Sequence, residues 1–550
     1  MRPTLRFAAT LLVALVSPTL AAQTWQSVAA IGGAGSEGAG GLALDAAGNA
    51  YLSGTFTGSV TLGGTTLTSA GAQDVVVAKV DPAGAVVWAL RVGGTGFDFA
   101  GDVTLDAAGN VYASGAFRRD ADFGSITLTA DAAGFTDAFL MKLSPTGTVL
   151  WASRAGGPIG DGASGIVTGS AGAVYLAGTF AETADFGTAA LTSAGGTDVF
   201  VAALDAATGA FMWAERAGGT GFDSGTVAAG PSGDLYVTGA FQETVAFGTT
   251  TLTSGGGSDA YVARFAPSTR AFAWATRVGG PSDAFSSQTT LLPSGDAVVA
   301  GFFNGTADFG TTMLTSAGDR DLFVMRVGAA DGAIGWAQRG GGPGFDYGLA
   351  IAPLAGGDVA VSGVFSETAV FGGTTLSSPG GGNLFLLRLA SDGAPRWAVQ
   401  TTNTGGATGN ALAASGPEAL VVAGVFQATS NFGPLSVTSV GGRDLFVARL
   451  NAMGVAAEAD PSREAGVALA AAPSPAASGH TVVSLTAGTA GLVTADLFDA
   501  LGRHVATLHA GPVGAGATIR LAVPALAPGV YVVRALGADS VASRAFTVMR

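Results

Sequence analysis

The sequence predicts an all-β chain in which a seven-bladed β-propeller precedes a small immunoglobulin-like β-sandwich. Three observations carry that expectation. The seven tryptophans, Trp25, Trp88, Trp151, Trp213, Trp274, Trp336 and Trp397, are separated by 63, 63, 62, 61, 62 and 61 residues, the mark of one supersecondary unit repeated. The repeat is rich in Gly, Thr, Val and Phe and shows no helical apolar stripe, so the unit is built of strands. From Pro473 the period changes to six or seven short alternating runs in the last 78 residues, which suits a compact sandwich.

The unit from Trp88 to Leu150 justifies the strands in order. DVTLD and NVYASGAF alternate around an Ala-Ala-Gly-Asn turn and read as a hairpin. DAFLMKLS pairs through Pro-Thr-Gly with TVLWASRA, a second hairpin that contains the next tryptophan. Between the hairpins, ADFGSITLTADAAGF is expected as an insertion with one short strand at ITLT. Four antiparallel strands repeated in this way make a propeller blade, and propellers close with about four to eight of them. The last unit runs out after Gly454 without a tryptophan strand, whereas TWQSVAAIGG at the start is a tryptophan strand with no hairpin before it. The strand around Trp25 is therefore expected to complete the last blade, which closes the ring and removes two exposed edges.

Residues 1–22 have the layout of a secretory signal peptide: Arg2 and Arg6, an apolar run from Phe7 to Val16, then Pro18, Ala21 and Ala22. The propeller is expected over 23–454, an Ala-rich linker over 455–472 and the C-terminal domain over 473–550. The signal-peptide layout makes the expected location extracellular, secreted or attached to the outer cell surface. No later apolar stretch is long enough to span a bilayer, so no transmembrane anchor is expected. The net charge of −14 argues against a nucleic-acid partner, because phosphate binding needs a basic face. Cysteine is absent, and a large β core needs no disulfide staples.

The array resembles the bacterial β-propeller repeats called SBBP repeats, through GGTGFDFAGDVTLDAAGNVYASGAF at 93–117 and its copies, and through GTFAETADFGTAALTSAGGTDVFVAAL at 178–204. The resemblance covers residues 25–454 and implies the fold without implying one activity. The tail resembles the type A C-terminal sorting domain of the type IX (Por) secretion system. It does so through Pro473-Ser474-Pro475, where that family usually has Pro-Asn-Pro, through Asp499, Gly502 and Arg503 of FDALGR, through Gly529 and Tyr531 of PGVY, and through the basic terminus at Arg550. The resemblance implies a tail recognised by the secretion machinery at the outer membrane and then cleaved, leaving the propeller secreted or attached to the cell surface.

Several polar residues recur with the period. An arginine follows the tryptophan by three at Arg91, Arg154, Arg216, Arg277 and Arg339, and the same five units carry an aspartate in the next glycine loop, at Asp98, Asp161, Asp223, Asp283 and Asp346. A bidentate pair between these two positions explains their co-occurrence. The first unit has Val28 and Glu37 instead, and the last has Gln400 with no aspartate in its loop. A second aspartate opens the third strand at Asp74, Asp137, Asp198, Asp259, Asp321 and Asp444, with Asn383 in the remaining unit. It is expected to cap the insertion turn by accepting backbone N–H bonds. A calcium loop is the alternative, but no dense D-x-D-x-D run occurs, and no cofactor is expected. The phenylalanines of the second strand and insertion, such as Phe117 and Phe123, are read as packing, with a carbohydrate-stacking surface as the alternative.

All three histidines, His480, His504 and His509, lie beyond the propeller, which rules out Ser–His–Asp, Cys–His and His-ligated zinc chemistry inside the ring. Glycoside hydrolysis needs only two carboxylates, but catalytic acids should depart from the repeat; Asp120 and Glu215 do so singly. The expectation is a non-catalytic binding or structural module with a surface glycan or protein as partner. Variable loops such as AFRRDADFG and QTTNTGGATGN are the places to hold it. The alternatives are a polysaccharide-active enzyme with paired carboxylates and a self-associating surface-layer component.

Overall fold

The computed structural model describes residues 23–451, apart from 132–133, 170–171 and 311, and beyond 466 the segments 467–472, 476–477, 482–487, 491–499, 503–515, 517–524, 526, 529–536 and 541–549. The expected signal peptide, most of the expected linker, Pro473-Ser474-Pro475, Gly502 and Arg550 lie outside the described residues. The chain is all-β and divides into two compact units, Ala22–Gly454 and a second that holds Val455–Arg550.

In the larger unit one arrangement of four antiparallel strands recurs. Phe99–Leu105, Val111–Arg118, Thr136–Leu143 and Val149–Ala155 lie side by side in chain order, from the innermost strand to the outermost. The first turn follows from its sequence. Asp106 accepts the Ala108 and Asn110 N–H groups at 2.9 Å each, and Gly109 takes φ +79°, an Asx turn with glycine where a left-handed residue is required. The second and third strands are buried on both faces, from Val111 to Phe117 and from Asp137 to Leu143, because neighbouring sheets pack against each side. They therefore read as continuous apolar runs.

The tryptophans owe their spacing to contacts with the next unit. A one-residue bulge just before Trp88, Trp151, Trp274 and Trp336 sets the indole against the following unit's last turn. Their indole N–H groups donate to the carbonyls of Pro145, Ala206, Ala329 and Ser391 at 3.1–3.2 Å. The turn glycines Gly147, Gly209, Gly332 and Gly393 lie flat on these rings; a Cβ there would come within 2.6–2.8 Å of the indole.

The insertion is a two-stranded hairpin, Asp120–Phe123 with Ile126–Thr129, where one short strand was expected. Its first strand pairs with the end of the preceding unit's outermost strand, Ala121 opposite Gly94 and Asp122 opposite Gly93. The same latch recurs at Gly33–Val60, Gly156–Asp185, Gly219–Val245, Gly279–Asp308, Gly341–Val370 and Thr402–Asn431. It explains the recurrent Gly-Gly: a Cβ on Gly94 would lie 1.8 Å from the Asp120 carbonyl oxygen, and one on Gly219 1.6 Å from that of Thr244.

Strand Thr24–Gly33 pairs with Leu435–Asn451, from Thr24 opposite Asn451 to Ile31 opposite Leu445. Trp25 packs edge-on against Phe432 at 5.0 Å. One apolar cluster contains Ile31, Leu52 and Val76 together with Ala411, Val421 and Leu445, so the start and end of the array share a core.

In the smaller unit a three-stranded sheet (Val467–Ala472, Val482–Ala487, Thr518–Leu521) and a five-stranded sheet (Ala476–Ala477, Val541–Met549, Gly529–Leu536, Gly491–Asp499, His504–Val513) share one core around Leu485, Val493, Leu497 and Val533. Strand Val467–Ala472 falls inside the expected linker. Its run of small residues gives a weak strand signal, and pairing with Val482–Ala487 decides its conformation. Asp499 stands opposite Tyr531 on the neighbouring strand, and its carboxylate accepts the Arg503 N–H and guanidinium at 3.0 and 2.7 Å. Asp499, Arg503 and Tyr531, three of the residues that carry the resemblance of the tail, thus lie together, while Gly529 begins the adjoining strand.

Candidate functional site

The recurrent arginines pair differently from the sequence expectation. Arg91, Arg154, Arg216, Arg277 and Arg339 bind the third-strand aspartates Asp74, Asp137, Asp198, Asp259 and Asp321, not the loop aspartates. The third-strand aspartates also cap the insertion turn as expected, accepting N–H bonds from Ala70, Asp131, Ala194, Gly255 and Ala317. The loop aspartates are fixed by backbone alone: Asp98 accepts the N–H groups of Gly94 and Arg118, and Asp161 those of Gly157 and Ala181. Burial pushes Asp98 up to about 6 and Asp161, Asp223 and Asp346 up to about 7. Asp283 departs from this set. It stands one position earlier in a loop of the same length, Ala284 takes the equivalent place, and Asp283 accepts the Ser258 N–H and lies 3.9 Å from Arg320.

Glu37 occupies the position of Asp98 in the unit where Val28 replaces the arginine. It is 3% exposed and faces Asp444, and burial followed by that neighbouring carboxylate pushes it up to about 8. In the last unit the set is neutral, with Asn383 meeting Asn403 at 2.8 Å, Gln400 in place of arginine and Ala407 in place of the loop acid. These groups join neighbouring units. Among the described residues no group of three or more His, Cys, Asp or Glu is placed to hold a metal ion.

The innermost strands surround a cavity of about 480 Å³. A bulge interrupts the innermost strand at Gly40-Gly41, Gly101-Asp102, Ser164, Ser287, Leu349 and Asn410, and all of these residues line the cavity, as do Thr226 and Gln288. Bulges of this kind re-aim side chains near functional sites. Neighbouring strands are stitched by Ser53 to the Gly101 carbonyl at 2.8 Å, by Ser164 to the Gly225 carbonyl at 2.6 Å and by the Ile351 N–H to Gln288 at 2.9 Å. Asp102 is the one acid among the described lining residues. Its carboxylate accepts the Val103 N–H at 2.8 Å and the Ile166 N–H of the next unit, and burial pushes it up to about 6. Gly41 makes room for it, since a Cβ there would lie 2.3 Å from Asp102 Oδ1. Asp102 and Gln288 also line a second cavity of about 310 Å³ reaching the other ends of these strands.

Beside the axial cavity, and sharing Leu349 with it, lies a groove of about 380 Å³ between the last two units. One wall carries Phe345 and Tyr347, which stack at 5.4 Å and 20°; outside the lining, Tyr347 meets Phe302 at 4.6 Å and Phe302 stacks on Phe285 at 5.2 Å. The other wall carries Thr408, Gln427 and Arg443. Gly405, Gly406 and Ala407 of the variable loop QTTNTGGATGN form its floor, so a departure from the repeat opens the groove.

The phenylalanines weighed as a stacking surface cannot serve as one. Phe117, Phe123, Phe180, Phe186, Phe303, Phe309, Phe365, Phe371, Phe426 and Phe432 are buried, in clusters such as Phe117–Phe123–Phe139. Asp120 is exposed on an insertion hairpin and Glu215 sits on an outermost strand; neither lines a cavity described above. The axial position of Asp102 was missed in the sequence. The available signal is the one variable side chain, Asp102, Ser164, Thr226, Ser287, Leu349 or Asn410, in innermost strands otherwise rich in Gly and Ala.

No protein-family model and no curated protein matches this chain. Among solved structures it is similar to a quinohemoprotein alcohol dehydrogenase from Pseudomonas putida, at 10% identity over 82% of this chain and 80% of that one, with a TM-score of 0.35. A quinohemoprotein alcohol dehydrogenase from Comamonas testosteroni matches at 11% identity over 76% of each chain, with a TM-score of 0.37. A fungal alcohol oxidase matches at 12% identity over 96% of this chain and all of that one, also with a TM-score of 0.37. Likenesses this distant decide neither site nor activity.

Proposed function

We propose that residues 23–454 form a seven-bladed β-propeller, closed by its N-terminal strand, that is exported through an immunoglobulin-like C-terminal sorting domain and works outside the cell as a non-catalytic binding module. The pairing of Thr24–Gly33 with Leu435–Asn451 supports closure. The observation that carries the binding reading is the axial cavity, into which the bulged strands deliver Asp102, Ser164, Ser287 and Asn410 beside Gln288 and Leu349. These side chains supply donors and acceptors for a polar ligand. Glycoside hydrolysis uses two facing carboxylic acids, and the described lining contributes one. The turn that joins Asp499, Arg503 and Tyr531 supports a recognised tail.

Peptide mapping of the protein recovered from its native cells and medium tests export. Peptides from the Trp25–Asn451 region are expected outside the cell and peptides after Val467 are expected to be missing; an exported chain intact to Arg550 overturns the sorting assignment. Titration of the purified protein with cell-surface glycan and with the cell-surface protein fraction tests binding. One of the two is expected to bind, at least tenfold more weakly to Asp102→Asn. No binding to either by a cooperatively melting protein rejects the reading.

A further inference from the structure

We infer that the groove beside the axial cavity is a subsite for a neutral hexose chain; the inference rests on the binding reading and names its ligand class. Phe345 and Tyr347 stack on each other, and both are partly exposed and present an aromatic surface to the groove. The C–H face of a pyranose ring stacks on such a surface while its hydroxyl edge stays polar, matching an aromatic body beside a wet rim. That rim is present. Gln427 and Arg443 stand opposite each other on adjacent strands and both are exposed. With Thr408 they offer amide and guanidinium donors, and hydroxyl and amide acceptors, to sugar hydroxyls.

The groove's volume of about 380 Å³ lies within the roughly 300–1,000 Å³ of small-ligand clefts. It shares Leu349 with the axial cavity, so a chain seated on the aromatic pair is directed toward the cavity lined by Asn410, Gln288 and Asp102. The choice between neutral and acidic polymers follows from charge. The protein carries −14 and the axial cavity holds a carboxylate, so apart from Arg443 at the rim a polyuronate meets repulsion on approach and at Asp102, whereas an uncharged chain does not.

Affinity electrophoresis in gels containing soluble galactomannan, xyloglucan, dextran or polygalacturonate tests this on the whole protein, with Tyr347→Ala, Arg443→Ala and Asp102→Asn as variants. Retardation by at least one neutral polymer and none by polygalacturonate is expected. Tyr347→Ala is expected to weaken the interaction at least tenfold and Arg443→Ala severalfold, each with the parent's melting curve. Tyr347→Ala retarded like the parent overturns the proposal, as does polygalacturonate alone being bound. Retardation that needs Asp102 but not Tyr347 rejects the groove and leaves the axial reading standing. Absence of retardation by every polymer rejects the hexose proposal, and titration with the cell-surface fractions then decides the binding reading by itself.

Discussion

A chain that starts after Gly33 is expected to lose its cooperative unfolding transition. Strand Thr24–Gly33 is held on one side by Leu435–Asn451 and at its end by the hairpin strand Ser59–Leu62. Removing it strips Trp25 and Ile31, which are 8% and 3% exposed, from two apolar clusters. Each such side chain contributes about 2–3 kcal/mol by burial, and each lost ladder hydrogen bond about 1 kcal/mol. The sum is on the order of 10 kcal/mol, comparable with the whole stability of about 5–15 kcal/mol of a typical domain. Two sheet edges would also be left open, at Leu435–Asn451 and at the hairpin, and open edges recruit other chains. Urea unfolding followed by tryptophan fluorescence, with size-exclusion chromatography, measures both effects. The expected result is a broad or absent transition with oligomers, partly reversed by adding the Thr24–Gly33 peptide. A truncated monomer that unfolds within 1 kcal/mol of the parent would show that this strand does not close the array.

Much of the fold was legible because repetition multiplies weak signals. One D-A-A-G-N turn predicts little, but its recurrence at Asp45 and Asp106 beside equally spaced tryptophans fixes hairpins and order. What stayed hidden depends on contacts between units. Arg91 was assigned to Asp98, seven residues away, although its partner is Asp74, seventeen away on the adjoining strand. The loop aspartates occur in the same five units as the arginines, whereas the third-strand aspartates do not, so co-occurrence pointed to the wrong partner. Glu37 was read as the absence of a pair, whereas it holds the loop-acid position with one methylene more. The hairpin latch was invisible because its partner is the Gly-Gly of the preceding unit, which reads as a turn. The axial site was hidden for a different reason. A bulge breaks the period of two on which strand reading rests, so the side chains it turns toward the axis look like loop residues.

The second large effect is on pH. In the folded protein Asp98 and Asp102 titrate at about 6, Asp161, Asp223 and Asp346 at about 7 and Glu37 at about 8. In the unfolded chain carboxyl groups titrate near 4. A raised folded pKa means that the native state binds protons the unfolded state does not, so this contribution is complete below about pH 4 and lost as pH rises through 6–8. Asp45, Asp106 and Asp296, held below the usual carboxylate range by their hydrogen bonds and neighbouring cations against the opposing pull of burial, act the other way. Their contribution is present above about pH 4 and fades below it. Stability is therefore expected to peak near pH 5 and to fall by on the order of 1 kcal/mol per raised acid towards pH 8, after allowance for screening. Thermal melts by circular dichroism between pH 4 and 9 measure this, and a melting temperature that climbs from pH 5 to 8 would contradict it. Glu37 is the sharpest probe, because its interface alone keeps two acids without a guanidinium. Val28→Arg places an arginine where Arg91 and its four counterparts stand, facing Asp444. It is expected to flatten the loss between pH 7 and 8 and to stabilise the protein at pH 8 by about 1 kcal/mol. Glu37→Gln, which removes the second charge, is expected to flatten the same interval. Agreement between two changes of opposite chemistry would place the titration at the closing seam, since a general effect of net charge would respond to both but not in that interval alone.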